Sequence, residues 1–474
     1  MDNEARTKII CTIGPSCEDD RDIARLAAAG MDIVRINTSH TSLEKLECYA
    51  SVVKSAEGIC EKSIATLLDL QGPRIRIAHV AGGEREIESG SRIDIVFTPQ
   101  PANPSAIQVS EPVLADALSS GDIILANEGL IRLRVIEKSK EAIKCVVEQG
   151  GKLKQGKGIN VPGIDLPLPA FTERDARYLE KAISLGVDWI AQSFVRSASD
   201  VAELKKEIKR QGASTPIMAK IESRAAYENI DEIMGVADGV MVARGDLGVE
   251  LEVEEVPVAQ KKIIRKALLR AVPVVTATQM LESMIENPRP TRAEASDVAN
   301  AILDGSDAVM LSAETAIGKH PLAAVEVMDR IIRKAESSID YETLLEAGGK
   351  MPHRSVADAI GYSACKIAWD LKADAIITIT KSGYTPRLIS RYRPTSRIIA
   401  ISTDESVIRR TKVLWGVEGI VLLLEENLKE ALSRVLMECR DFGLLQSGDL
   451  VVMTGGFLEE KAGTTNTVSV RTVP

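Results

Sequence analysis

Lys220 and Glu222 stand two residues apart at the end of the apolar run PIMAKIES (216–223), and Asp246 ends a second such run, GVMVARGD (239–246). In an extended strand that spacing puts Lys220 and Glu222 on the same side. Two carboxylates with no Cys or His beside them suit a hard divalent cation completed by substrate oxygens. Magnesium is the natural occupant, and manganese can replace it. An ammonium next to that cation lets both flank one anionic centre. Arg35 and Arg76 add the permanent positive charge that a phosphoryl group requires. A structural ion pair would use Lys220 and Glu222 equally well, so the pair alone does not decide the chemistry. The stretch Ala243-Arg244-Gly245-Asp246-Leu247-Gly248 places two glycines around a carboxylate just past a strand, where backbone N–H groups can face a substrate carboxylate. A plain tight turn would carry the same glycines.

Something must bring these residues together, and the pattern of the chain says what. Short β-branched runs alternate with amphipathic helical stretches: KIICTIG, DIVRIN and SIATLLDL, then, after an interruption, DWIAQSF, PIMAKIES, GVMVARGD, VPVVTAT and DAVMLSAE. Eight strands, each apolar because both faces are covered, with helices between them, are the elements of a (β/α)8 barrel. Between about Pro73 and Leu168 the pattern changes to short alternating strands (RIDIVF, DIILAN, LIRLRVIE, AIKCVVE) with Gly and Pro turns and no helix, which predicts an all-β insertion. From about Asp340 a third unit alternates strands and helices again, as a doubly wound or mixed sheet does. The expected fold is therefore α/β: a (β/α)8 barrel in two parts (1–72 and 169–339), an inserted β-barrel lid domain (73–168) and a C-terminal α/β regulatory domain (340–474).

Barrel active sites sit at the C-terminal ends of the strands. Here those ends read Arg35-Ile36-Asn37, Asp69, Ser193, Lys220-Ile221-Glu222, Arg244-Gly245-Asp246, Thr278 and Glu314. A circle of charges at one mouth must either pair internally or bind something.

Composition excludes other classes. The 474 residues allow about three folding units at roughly 150 residues each. Lys plus Arg number 59 and Asp plus Glu 68, a net charge of −9 without a long basic run, which argues against a general binder of nucleic acid or anionic membranes. The seven cysteines are scattered and form no C-x-x-C pair, as in a reduced, cytoplasmic protein. The stretch from Met1 to Lys8 is polar, and no apolar run approaches the roughly 18 residues of a membrane helix, so a soluble, unexported protein is expected. His40, His79, His320 and His353 show no zinc-ligand spacing.

At the level of motifs, the runs Lys8-Ile9-Ile10-Cys11-Thr12-Ile13-Gly14-Pro15-Ser16, MVARGDLGVE (241–250), ATQMLESMIENPRPTRAEASDVANAILDG (277–305) and VMLSAETAIGKHPL (309–322) resemble the long signatures of the pyruvate kinase family. The resemblance spans nearly the whole chain. It implies transfer of the phosphoryl group of phosphoenolpyruvate to ADP, giving pyruvate and ATP in the last step of glycolysis, by a magnesium-dependent barrel with a β lid. Residue by residue, it implies Glu222 and Asp246 as divalent ligands, Gly245 as a backbone contact to substrate, and Arg35 and Arg76 as phosphoryl holders, with Arg76 shared with the nucleotide. Lys220 would neutralise the phosphoryl in transfer and the enolate left behind. Thr278 would lie near the enolate methylene on the path of the final proton, and Ser193 would line the same pocket. Asn37, His40, Arg76 and Lys157 fall at nucleotide-side positions. A homotetramer is implied by family analogy. Holding two polyanions together while excluding water calls for a hinged lid, and Gly72-Pro73 and Pro162-Gly163 have the turn chemistry for its hinges.

Two departures from the family pattern stand out. Asn37-Thr38-Ser39-His40-Thr41 replaces the usual Asn-Phe-Ser-His-Gly, which alters the adenine side. In potassium-dependent members a monovalent cation sits among positions matching Asn37, Ser39, Asp69 and the backbone of Leu70, and a Glu follows the Gly-Pro; here Arg74 follows it. A fixed guanidinium supplies the field of the bound ion and repels it, so no potassium requirement is expected. In the third unit, Thr380-Lys381-Ser382-Gly383-Tyr384-Thr385 joins a strand to a helix and could seat a phosphate, as the family's corresponding loop does for sugar-phosphate effectors; a bare turn would look the same. The facing wall, around Trp415 and Gly455 to Thr465, matches no effector pattern. Two rival classes share part of the picture: a magnesium-dependent enolate-forming lyase or aldolase, which needs no nucleotide lid with Lys157, and a non-catalytic sensor of phosphometabolites, which needs no catalytic set.

Overall fold

The computed structural model describes residues 5–98, 106–350, 355–423, 428–456 and 465–474. His353 and residues 457–464 of the expected effector wall lie outside them. Eight parallel strands close into a barrel: Lys8–Thr12, Met31–Asn37, Ala65–Asp69, Trp189–Gln192, Ile217–Ile221, Gly239–Ala243, Val274–Ala277 and Ala308–Leu311, with the last pairing with the first. Side chains alternate across each strand. One set, including Ile10, Ile33, Leu67, Ala191, Met218, Met241, Val275 and Met310, fills the interior; the other, including Ile9, Val34, Leu68, Ile190 and Val240, packs under the surrounding helices. The interior phase decides which residues reach the mouth. Two residues beyond Ile33, Leu67, Ala191 and Met218 stand Arg35, Asp69, Ser193 and Lys220, with Glu222 after Lys220.

The insertion forms a seven-stranded sheet in the order Ile159–Asn160, Ile123–Ala126, Ile131–Lys138, Ala142–Gln149, Arg92–Val96, Ile107–Val109, Ile77–His79. Its first and last strands approach each other through the Arg76–Gly158 bridge and the Ile77 N to Lys157 O bond of 2.9 Å, so the sheet curls toward closure. Four strands match the sequence expectation. The other three are only two or three residues long, and the alternation signal misses them. One correction is needed: the insertion contains a helix, Val113–Ala117. Pro112 opens it with a helical φ, and at five residues it is too short to show a helical period in the sequence.

The C-terminal sheet is mixed, in the order Val417–Val421, Arg397–Ser402, Ala375–Ile379, Leu450–Gly455, Thr467–Thr472, with only the last strand antiparallel. It docks under the barrel through buried charge. The Arg393 guanidinium donates to Asp307 Oδ1 at 2.8 Å and to the Gly305 carbonyl at 2.7 Å, and lies over the Trp415 ring. Trp415 is itself buried here and donates to Glu336 Oε1 at 3.1 Å, so it belongs to this junction and not to an effector pocket. Arg393→Ala would leave Asp307 buried without its cation. Such losses cost about 3–5 kcal/mol, and urea unfolding should show a fall of that size, whereas substitution of an exposed pair such as Lys144 and Glu137 should change stability by less than about 1 kcal/mol.

Candidate active site

Lys220, 9% exposed, is the centre of the mouth. Its Nζ lies 2.7 Å from Glu222 Oε1 and 3.2 Å from Asp69 Oδ1, and donates to Ser193 Oγ at 2.8 Å. Asp69 Oδ2 takes the Arg35 guanidinium at 2.8 Å, and Arg35 also reaches Thr12 Oγ1 at 2.9 Å. Burial alone would favour neutral Lys220. The carboxylates of Asp69, Glu222 and Asp246 outweigh it and hold the ammonium well above its ordinary pKa. Burial would likewise raise Asp69, but Lys220 and Arg35 bring it below the usual carboxylate range. Glu222 is pushed upward, by burial first and by Asp246 next, against the pull of Lys220. Glu222 is thus a buried carboxylate held by Lys220 on one oxygen and by the Phe194 amide on the other, with Asp246 facing it.

Asp246 follows the sixth strand in a short helix, Arg244–Glu250, and lines a cleft of ≈ 250 Å³ between mouth and insertion with Arg74, Glu128, Asn160, Gly245 and Thr278. Among the described residues no protein group donates a hydrogen bond to its carboxylate. No group of three or more Cys, His, Asp or Glu side chains gathers as a ligand set among the described residues either. An all-oxygen pair of facing carboxylates, one of them open to the cleft, fits a divalent cation whose other positions go to substrate and water.

Several expected residues take roles other than the ones their positions suggested. Arg244 turns away from the mouth, paired with Asp297 and donating to the carbonyls of Thr278 (2.8 Å) and Gln279 (3.0 Å). Those two residues are left-handed, with φ of +66° and +53°, and Thr278 is β-branched, so Arg244 holds a backbone that strains against its own sterics. Glu314 lies past the eighth strand in a short helix, 2% exposed, with its oxygens accepting from Leu281 N and Ser312 N. Gly245 N donates to Thr278 Oγ1 at 2.8 Å, so that N–H orients the threonine instead of standing free for a substrate. Thr278 Oγ1 in turn donates to the Ala277 carbonyl at 2.6 Å.

On the nucleotide side, Arg76 donates to the Gly156 carbonyl at 2.8 Å, and Lys157 pairs with Glu128, which lines the cleft. Partial burial, then the guanidiniums of Arg76, Arg74 and Arg35, lower the pKa of His40. Thr38, in place of the family's aromatic, is fully buried and donates to the Asp69 carbonyl at 2.9 Å. At the monovalent-cation positions, Asn37 Oδ1 accepts from Ser39 N, Leu70 N donates to the Ala191 carbonyl, and both Asp69 oxygens already hold protein donors. In the C-terminal loop, Thr380 Oγ1 accepts from Gly383 N at 3.0 Å and Ser382 N at 3.4 Å, and Thr385 Oγ1 meets Thr465 Oγ1 at 2.5 Å. The Thr380 and Thr385 hydroxyls therefore organise the loop from within, while Lys381 and Ser382 are exposed.

A closed (β/α)8 barrel with buried, paired charges at the C-terminal ends of its strands and a β insertion beside them has the architecture of a barrel enzyme. The chain belongs to the pyruvate kinase family, and it is a phosphotransferase. Residues 4–325 match the family described as pyruvate kinase, barrel domain, and 358–471 the pyruvate kinase alpha/beta domain. The chain is 42% identical over 471 residues to a pyruvate kinase of Bacillus licheniformis and 41% identical over 470 to one of Staphylococcus aureus, covering 99% of this chain and 80% of each relative. The crystal structure of a pyruvate kinase from Cryptosporidium parvum superposes with a TM-score of 0.94 at 36% identity, covering 100% of this chain and 98% of that one.

Proposed function

We propose that this enzyme transfers the phosphoryl group of phosphoenolpyruvate to ADP, with a divalent cation, magnesium or manganese, held by Glu222 and Asp246 and without a potassium requirement. The observation that carries this reading is the convergence of Lys220, Glu222, Asp69 and Arg35 at the mouth beside the cleft that Asp246 and Thr278 line. The bound cation would neutralise phosphate oxygens and hold the substrate in place. Lys220, kept protonated by its three carboxylates, faces the charge that develops as the phosphoryl leaves, and it acts by electrostatics and not as a base. Arg35, clamped by Asp69, presents a rigid fork for phosphoryl oxygens. Ser193 fixes the Lys220 ammonium, and Thr278 stands where the cleft wall would face the enolate carbon. Arg76, Lys157, His40 and Asn37 serve the nucleotide from the insertion side, and the insertion excludes water that would otherwise accept the phosphoryl. A cytoplasmic homotetramer, with the loop Thr380 to Thr385 as the seat of a sugar phosphate, completes the proposal. A coupled assay for ADP-dependent pyruvate release, with and without magnesium, tests the reaction; a lyase would release pyruvate without ADP, and a sensor would release none.

The reading without a potassium requirement rests on Arg74, whose guanidinium would supply the field of the ion and repel it, and the donors already on Asp69 support it. Asp69, which would face the ion, is saturated by Arg35, Lys220 and Ser193, and Arg74 lines the cleft. Activity in sodium or tetramethylammonium buffers should stay within about twofold of that in potassium, and Arg74→Glu should create a potassium dependence of about tenfold or more. Strict dependence in the parent enzyme would contradict this.

A further inference from the structure

The backbone passes between barrel and insertion near Gly72 and returns to the barrel at Thr172, and a single buried carboxylate holds both crossings. Asp175, 1% exposed, accepts at Oδ2 from Thr172 N (3.0 Å) and Thr172 Oγ1 (2.6 Å). Those bonds complete the capping box of the helix Glu173–Ser184. Its other oxygen accepts from Gln71 N (3.1 Å) and Gly72 N (3.3 Å), which capping does not require.

Gly72 is pinned at a place with no slack. Its φ is +66°, and a Cβ there would come within 2.8 Å of the Phe194 ring. Phe194 is itself left-handed, at φ +55°, a conformation that an aromatic residue keeps only when its surroundings enforce it. In that conformation its N–H donates to Glu222 Oε2 at 2.9 Å, while Oε1 faces Lys220. Asp175, Gly72, Phe194 and Glu222 thus form an unbroken series of contacts from the hinge to the carboxylate of the cation site.

We propose that Asp175 is a positioning residue: by holding Gly72 against Phe194 it keeps the Phe194 amide aimed at Glu222 and so sets divalent-cation affinity from the hinge of the insertion. This rests on the reading of Glu222 and Asp246 as cation ligands. A carboxylate oriented through one oxygen loses little freedom when a cation arrives, whereas an unpinned one must be ordered at that moment. Outer partners of metal ligands typically govern affinity by 10- to 100-fold.

The test is manganese binding by electron paramagnetic resonance on the full chain without substrates, paired with melting temperature. Asp175→Asn and Gly72→Ala should each weaken Mn²⁺ about tenfold or more, the second without removing any bond to Asp175. Thr172→Ala, which weakens the same helix cap but leaves the Gln71 and Gly72 bonds, should lower the melting temperature and keep Mn²⁺ affinity within about twofold. If Asp175→Asn keeps the parent affinity, or if Thr172→Ala weakens Mn²⁺ as much as Asp175→Asn, Asp175 is a helix cap and the proposal falls. Should Asp175→Asn not fold, Asp175→Glu, which keeps the charge but moves the oxygen that takes the Gln71 and Gly72 amides, replaces it with the same two outcomes, and Gly72→Ala tests the step from Gly72 to Glu222. Glu222→Gln separates the two levels: if it binds Mn²⁺ like the parent, the cation site itself is wrong, and if it loses binding while Asp175→Asn and Gly72→Ala do not, only the hinge coupling is wrong.

Discussion

Lys220→Met should lower kcat about 1,000-fold, with a smaller effect on phosphoenolpyruvate binding. The expectation comes from where the charge sits. The Lys220 ammonium is the cation that Glu222, Asp69 and Ser193 together fix at the mouth, and three carboxylates keep it protonated. A group preset where negative charge develops acts on the transition state more than on the bound substrate, so kcat falls more than KM rises. Because its pKa lies far above neutrality, Lys220 contributes no ionisation to the rate between pH 6 and about 9, and replacement by Arg should leave the shape of the pH profile unchanged. Lys220→Met also leaves Asp69 and Glu222 with less compensation in a buried site, so its melting temperature should fall as well. Lys220→Arg keeps the charge but not the compact ammonium, and should fold normally with most of the kcat loss. A Lys220→Met enzyme that folds and turns over within tenfold of the parent would remove Lys220 from the chemistry.

Asp246→Asn should weaken divalent activation and lower kcat/KM by about 100- to 1,000-fold, with little change in stability. The contrast with Glu222 is informative. Asp246 lines the cleft and no protein donor holds its carboxylate among the described residues, so the folded chain loses little when the charge is removed. Glu222 is buried, pairs with Lys220 and takes the Phe194 amide, so Glu222→Gln should lose both divalent activation and stability. Removing the Asp246 charge relieves its repulsion of buried Glu222, so the small change in the stability of Asp246→Asn should be a rise and not a fall. Equal activation of the parent and Asp246→Asn by magnesium would exclude Asp246 as a ligand.

The inward ladder of the barrel was legible because it follows a period of two: once Met218 and Leu67 face the interior, Lys220 and Asp69 must arrive at the mouth. The same logic overreached at Arg244, and at Glu314, which does line the cleft, it missed what the oxygens hold. Both come after their strands have ended, where helices set the side-chain direction, and both hold backbone groups. Gly245 shows a related limit. Its flexibility is visible in sequence, but the Thr278 hydroxyl that takes its N–H comes from another strand. Trp415 looked like a pocket wall because nothing local reveals Arg393 and Glu336, which bury it. The Thr172 to Asp175 spacing signals a capping box, yet the reach of Asp175 to Gln71 and Gly72 depends on the insertion bringing two distant segments together. Pairings of that kind depend on tertiary packing and leave no periodic trace in the chain.

The central claim concerns one cation position, and anomalous scattering from crystals of the full chain soaked with manganese and phosphoenolpyruvate tests it most directly. A single manganese peak about 2.1 Å from carboxylate oxygens of both Glu222 and Asp246, with substrate oxygens completing its shell and Lys220 on the far side of the phosphate, is the predicted result. A peak that touches neither carboxylate, or substrate bound beside Lys220 with both carboxylates turned away and no metal between them, would contradict it.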